Sequence, residues 1–172
     1  MSNVLIREKV QPYSMEAEIS VLGSMLIDND TIGLVAQILN ANSFYKTAHI
    51  HIFEAILNLY DKQRVVDLVL LKDELYKRSL LDKVGGFEYL MELEESVPIT
   101  ANVEFYAKIV REKAIKRDLI AATTKIQQKA YHDSLESDEL LDLAEKSIFD
   151  ITQQKLSHPT TKLYEILNST FD

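Results

Sequence analysis

From Ala101 to Tyr131 the chain runs without a glycine or a proline. Nothing in that stretch breaks a helix, and about thirty helical residues span roughly 45 Å at 1.5 Å per residue. The scarcity extends to the whole chain, whose 172 residues hold four glycines and three prolines. Sheet-rich folds need tight turns, and those recruit both residues. Abundant Leu, Ile, Glu and Lys favour helices, so the expected fold class is all-α. The glycine shortage also limits chemistry. Gly23, Gly33, Gly85 and Gly86 fit neither the spacing of a P-loop nor a G-x-G-x-x-G turn. The absence of cysteine excludes a disulfide framework, a thiol nucleophile and thiolate zinc sites. A hydrophobic content of 47% is enough for a folded core. No apolar run approaches the ~20 residues of a membrane span, and Met1 to Pro12 lacks the apolar core of a signal peptide. A soluble cytoplasmic protein without membrane contact is the expectation.

Four regions follow from the pattern: a flexible arm over 1–13, a helical head over 14–100, a helical hairpin over 101–155, and a linker with a short helix over 156–172. In the head, Ser14 can cap a first helix, with Glu16 and Glu18 in its first turn, where the helix dipole favours negative charge. Ile19, Leu22 and Leu26 form its apolar face. Asp28-Asn29-Asp30 ends it, and Asp30 is placed to cap the next helix. A third helix is expected from about Thr47 to Asp61, with Ile52, Phe53, Ile56 and Leu57 at helical spacing. Asp67 can cap a fourth. Gly85-Gly86 opens a fifth, which Val97-Pro98 stops.

The hairpin pairs the glycine-free helix with a second one that Ser137 can cap and that reaches about Lys155. Leu141, Ala144, Ile148 and Ile151 step by three and four, the spacing of a coiled-coil seam. Residues 104–131 carry a balance of +4 and residues 133–155 of −5, so antiparallel pairing lays a basic helix along an acidic one. Beyond a polar linker, Leu163, Ile166 and Leu167 give a short amphipathic helix a face with no evident partner in the chain.

Chemistry-bearing groups are sparse. His49 and His51 are two apart, whereas two ligands on one helix face need a spacing of three or four. His49 is therefore expected to pack near a helix start and His51 to face solvent, with no metal site. Asp73-Glu74 and Glu94-Glu95 read as solvated surface, and no catalytic residue is assigned. Lys108, Arg111, Lys113, Lys116, Arg117, Lys125 and Lys129 could meet nucleic acid. Complementing the acidic helix is the favoured reading, because a net charge of −8 weakens phosphate affinity. Tyr89, Ile120 and Ile126 are open between core and partner contact. Ile120 adjoins Leu119, and both cannot face one seam, so one should be exposed.

Five ordered segments carry a resemblance: PYSMEAEISVLGSMLID from Pro12, FYKTAHIHIF from Phe44, VDLVLL from Val66, VGGFEYLMEL from Val84, and VPITANVEFYAKIVREKAIKRDLI from Val97. With them the chain resembles the N-terminal domain and linker of the bacterial replicative DNA helicase, the DnaB family. Lys62-Gln63-Arg64-Val65 lacks a Gly-x-Pro common in that family, and Leu70 stands where Thr is common. The resemblance implies a head and hairpin that pair with copies of themselves into the collar of a hexameric ring. It implies a separate ATP- and Mg²⁺-binding motor domain that is absent here, so this fragment would have no cofactor and no enzymatic activity. It implies recruitment of the C-terminal domain of primase through positions matching Tyr89, Ile120 and Ile126, and leaves room for a helicase loader. It implies that Leu163, Ile166 and Leu167 dock on a neighbouring subunit's motor domain, and that DNA is bound weakly or not at all. The alternatives are a stand-alone helical protein, either nucleic-acid-binding or a regulatory scaffold, and a small helical enzyme using carboxylates or His49.

Overall fold

The computed structural model describes residues 10–62, 65–97, 102–132 and 135–156. They form seven α-helices and two short 3₁₀ turns, and among the described residues there is no strand. Helix α1 spans Met15–Ile27. It starts where expected, because the Ser14 hydroxyl accepts the Ala17 amide at 3.3 Å and so satisfies one of the free amides of the first turn. Helix α2, Asp30–Ile38, follows almost at once. Asp30 is its first residue rather than its cap, and the Asp28 carboxylate accepts the Asp30 amide at 3.0 Å. The same turn is tied to a distant segment. Asn29 accepts the Val66 amide at 2.7 Å and donates to the Val66 carbonyl at 2.9 Å. The extended chain before the fourth helix thereby gains the pairing a sheet would otherwise supply.

Helix α3 covers Thr47–Asp61, and α4 covers Leu68–Lys77 with Asp67 accepting the Leu70 amide at 2.8 Å. Helix α5 is Gly86–Glu95, entered through Gly85 at φ +108°, a left-handed conformation that suits glycine. The two long helices are α6, Val103–Tyr131, and α7, Ser137–Leu156. Ser137 is the first residue of α7.

One core serves the head. Leu22, Met25, Ile32, Ile52, Phe53, Ile56, Leu71, Leu75, Leu90 and Leu93 are all fully buried, each worth about 1.5–3 kcal/mol of apolar transfer. Helices α1 and α5 approach so closely at Gly23 that an added Cβ would fall on the Leu93 carbonyl and the Val97 side chain. The core does not stop at the change of composition near Thr100. Val103, Ala107 and Val110 on α6 belong to it, so α6 is rooted in the head before it runs out to meet α7.

Two expectations change here. Pro12 and Tyr13, placed in the flexible arm, are clamped. The Arg117 guanidinium donates to the Pro12 carbonyl at 2.8 Å and to the Ser43 carbonyl at 2.7 Å, and the Tyr13 ring stacks on Tyr45 with centroids 4.6 Å apart. The seam of the hairpin is also shifted. Leu141 is 66% exposed and Ile148 41% exposed. The half-buried positions on α7 are Leu140, Leu143, Ala144, Ser147 and Ile151, so only Ala144 and Ile151 of the expected set turn inward. A two-helix hairpin covers a narrow stripe, and α7 carries more apolar side chains than that stripe can hold. The close ion pairs of α6 run along the helix, Lys108 to Glu104 and Lys116 to Glu112. A contact that crosses to α7 is Arg111 to the Gln154 carbonyl at 3.5 Å.

Candidate functional site

Tyr89 sits on the first turn of α5, half-buried, with its ring against the start of α3. Its hydroxyl receives the Lys46 ammonium at 2.9 Å and meets His49 Nε2 at 2.7 Å. His49 is fully buried, and its Nδ1 lies 2.6 Å from Glu18 Oε2. Glu18, only 1% exposed, also accepts the Tyr45 amide at 2.6 Å and the Lys46 amide at 3.4 Å. With a neutral imidazole, His49 Nδ1–H donates to the Glu18 carboxylate and Nε2 accepts the Tyr89 hydroxyl proton; with an imidazolium both ring nitrogens donate. The phenol oxygen accepts from Lys46. Every member of the relay is satisfied, as a buried polar group requires. The imidazole and phenol planes are parallel within 5°, and the Lys46 ammonium stands 4.1 Å from the Tyr89 ring centroid. Gly85 makes room: a Cβ there would lie 2.9 Å from the Tyr89 Cβ.

A chain of contacts runs from this ring to α6. Lys46 follows Tyr45 in sequence, the Arg117 guanidinium lies 5.6 Å from the Tyr45 ring centroid, and Ile120 is one turn beyond Arg117. Leu119 and Ile120 are 37% and 43% exposed, so both face solvent in part, where only one was expected to. Ile126 is placed differently. A straight helix turns it about 120° away from Ile120. It continues the half-buried stripe of Ile115 and Ala122, residues that line the 320 Å³ groove shared with Ser147 and Ile151. Tyr89 and Ile120 are thus connected only stepwise, through Lys46, Tyr45 and Arg117, and Ile126 is set round toward the hairpin seam.

The same groove holds Asp118, whose carboxyl partial desolvation raises above the ordinary aspartate value, against the lowering pull of Arg117. On the outer face of α6, the hydrogen bond and charge of Lys116 hold Glu112 below the ordinary glutamate value. Arg117, counted among the candidate phosphate ligands, spends its guanidinium on two backbone carbonyls. His51 is half-buried and 3.7 Å from Glu54, away from His49. Asp73 and Glu74 pair along α4 with Lys77 and Arg78. Leu163, Ile166 and Leu167 lie outside the described residues. The sequence marks Glu18 as a first-turn dipole residue. Its place in the buried row with Leu22 and Met25 was the available signal for burial, and His49 similarly precedes Ile52, Phe53 and Ile56 by helical steps.

Residues 10–112 match a family model for the DnaB-like helicase N terminal domain. The chain belongs to that family. The replicative DNA helicase DnaB of Geobacillus stearothermophilus is 40% identical over 168 residues, which is 98% of this chain and 37% of that protein. The chain therefore spans little more than a third of the length of that relative. The crystal structure of the N-terminal domain of DnaB helicase from Mycobacterium tuberculosis superposes with a TM-score of 0.76 at 40% identity, covering 82% of this chain and 99% of that one. A DnaB-like replicative helicase shares the fold at a TM-score of 0.68 and 24% identity, over 91% of this chain and 35% of that one. The all-helical head with α6 rooted in it is thus the architecture of the DnaB N-terminal domain. Among the described residues no helix is long and apolar enough to cross a membrane.

Proposed function

We propose that the chain is the collar portion of a bacterial replicative DNA helicase, acting by assembly in the cytoplasm. Its hairpin pairs with a second copy within a hexameric ring, and the surface carrying Tyr89 and Ile120 holds the C-terminal domain of primase near the fork. Tethering raises the effective concentration of primase at emerging single strands. ATP and Mg²⁺ chemistry belongs to a motor domain as in the family, and Leu163, Ile166 and Leu167 dock on that of a neighbouring subunit. A loader is a further partner, and this chain adds little DNA affinity.

The observation that carries the reading is the exposed apolar material of the hairpin. Leu119, Ile120, Leu141, Ile148 and Phe149 are all exposed in the single chain, which leaves apolar side chains on both hairpin helices for partners to cover. The first two belong to α6 and suit primase. The last three belong to α7 and suit a second copy. The DnaB-like replicative helicase of the same fold was described together with its interactions with primase. Ile126, set toward the seam, contributes from the edge of the primase contact.

Calorimetric titration with the C-terminal domain of the cognate primase tests the proposal. Wild type binds. Ile120→Asp stays folded, since the position is already 43% exposed, and loses binding by several kcal/mol because a carboxylate is buried unpaired in the contact. Undiminished binding by Ile120→Asp overturns the assignment of this surface.

A further inference from the structure

We propose that Glu18 and His49 are positioning residues for Tyr89, so that the buried head sets the pose of the ring the partner reads. The inference rests on the assignment of Tyr89 to the primase contact and goes beyond it. Neither Glu18 nor His49 is accessible to a partner, being 1% and 0% exposed. Their polar atoms are nonetheless aligned in one direction, from the Glu18 carboxylate through His49 to the Tyr89 hydroxyl, at 2.6 and 2.7 Å. Lys46 closes the far end at 2.9 Å. A half-buried tyrosine on the first turn of a helix has two free side-chain torsions. Here the hydroxyl is held from two sides and the ring lies parallel to the imidazole within 5°, which leaves a single orientation.

Two consequences distinguish this from simple core packing. The phenol oxygen is already engaged by His49 Nε2 and Lys46, so the partner reads the ring rather than the hydroxyl. The ring also needs no ordering on binding, which removes an entropic cost of association. Because Glu18 additionally holds the Tyr45 and Lys46 amides, the loop beside the ring and the ring itself are set by one carboxylate.

The test is calorimetric titration of the 172-residue chain with the C-terminal domain of the cognate primase, using Tyr89→Ala, Tyr89→Phe, His49→Gln and the double variant His49→Gln/Tyr89→Ala. Tyr89→Ala weakens binding strongly but measurably. Tyr89→Phe keeps the ring and deletes its anchor, and is expected to weaken binding about 3- to 10-fold, the range of one lost hydrogen bond. His49→Gln is expected to weaken binding by a similar factor in the wild-type background and by nothing further in the Tyr89→Ala background, where no ring remains to position. Loss of folding would instead lower binding in both. The imidazole nitrogen spectrum supplies a second readout, in which Tyr89→Phe shifts His49 Nε2 and leaves Nδ1 bonded to Glu18. Wild-type affinity in both Tyr89→Phe and folded His49→Gln, with Tyr89→Ala impaired, overturns the positioning role alone. Wild-type affinity in Tyr89→Ala overturns the partner assignment and the positioning role with it.

Discussion

Replacing Glu18 by Ala should cost the head about 3–5 kcal/mol of stability. The carboxylate is 1% exposed and takes the Tyr45 amide at 2.6 Å, the Lys46 amide at 3.4 Å and His49 Nδ1 at 2.6 Å. Truncation strands the buried His49 donor and takes the acceptor from two part-buried amides. A stranded buried donor costs about 1–3 kcal/mol, and two of the three bonds are short. Removing the charge also relieves its own desolvation, so the sum is less than three full penalties. The expected loss is about 3–5 kcal/mol, the range seen when one member of a buried charged network is deleted. Domains of this size have roughly 5–15 kcal/mol in total, and each kcal/mol moves the melting temperature by about 2–4 °C. Far-UV circular dichroism during thermal and urea unfolding should show a midpoint lowered by roughly 10 °C with an unchanged urea slope. Glu18→Gln should be milder, about 1–2 kcal/mol. Its amide oxygen still serves Tyr45, and its NH₂ can donate to Nδ1 if the imidazole adopts the other tautomer. A loss below about 1 kcal/mol for Glu18→Ala, set against those penalties, would refute the reasoning, since it would mean water or another acceptor already serves these donors.

Other perturbations follow from the same packing. Gly23→Ala should destabilise by about 2 kcal/mol or more in urea melts, although Gly to Ala in a helix interior normally gains about 1 kcal/mol, because the new Cβ falls on the Leu93 carbonyl. Arg117→Met should lose two charge-assisted hydrogen bonds, about 3–6 kcal/mol together, and limited proteolysis should then cut near Pro12, while Arg117→Lys recovers only part. Asp118→Asn should raise the melting temperature at pH 7 and leave it unchanged near pH 3. The raised carboxyl binds its proton more tightly folded than unfolded. Its contribution is therefore full below the ordinary value of 3.8 and is lost as pH rises through the raised one. Phe149→Glu on α7 should reduce self-association in sedimentation velocity without changing the melting of the head, since Phe149 is 57% exposed.

The helices of the head were legible because their signals are local. Ser14 and Asp67 lie beside the amides they cap, Thr47–Asp61 shows its apolar stripe within one window, and Gly85-Gly86 marks the entry to α5. The hairpin was legible as helix and misread as a seam. Leu141 and Ile148 keep heptad spacing as well as Leu140, Leu143 and Ser147 do, and periodicity cannot tell a stripe for the partner helix from a stripe for another chain. Helical spacing signals the burial of Glu18 and His49, but the pairing of the relay was not legible. Glu18 and His49 are 31 residues apart, and His49 and Tyr89 are 40 apart. Only folding brings α1, α3 and α5 together, and no spacing rule spans such distances. Arg117 was hidden for the same reason, since its acceptors are backbone carbonyls at Pro12 and Ser43. A carbonyl has no identity in a sequence, so a cation bonded to one reads as free.

The most direct measurement maps which residues of the isotope-labelled chain respond to unlabelled primase C-terminal domain by NMR. A rival apolar face exists on α4, where Val69 and Tyr76 are 68% and 72% exposed, which makes the map discriminating. The account expects the largest shifts at Lys46, Tyr89 and Ile120, smaller ones at Ile126, and none at Val69 or Tyr76. Shifts confined to the α4 face, with Tyr89 and Ile120 unmoved, would contradict it.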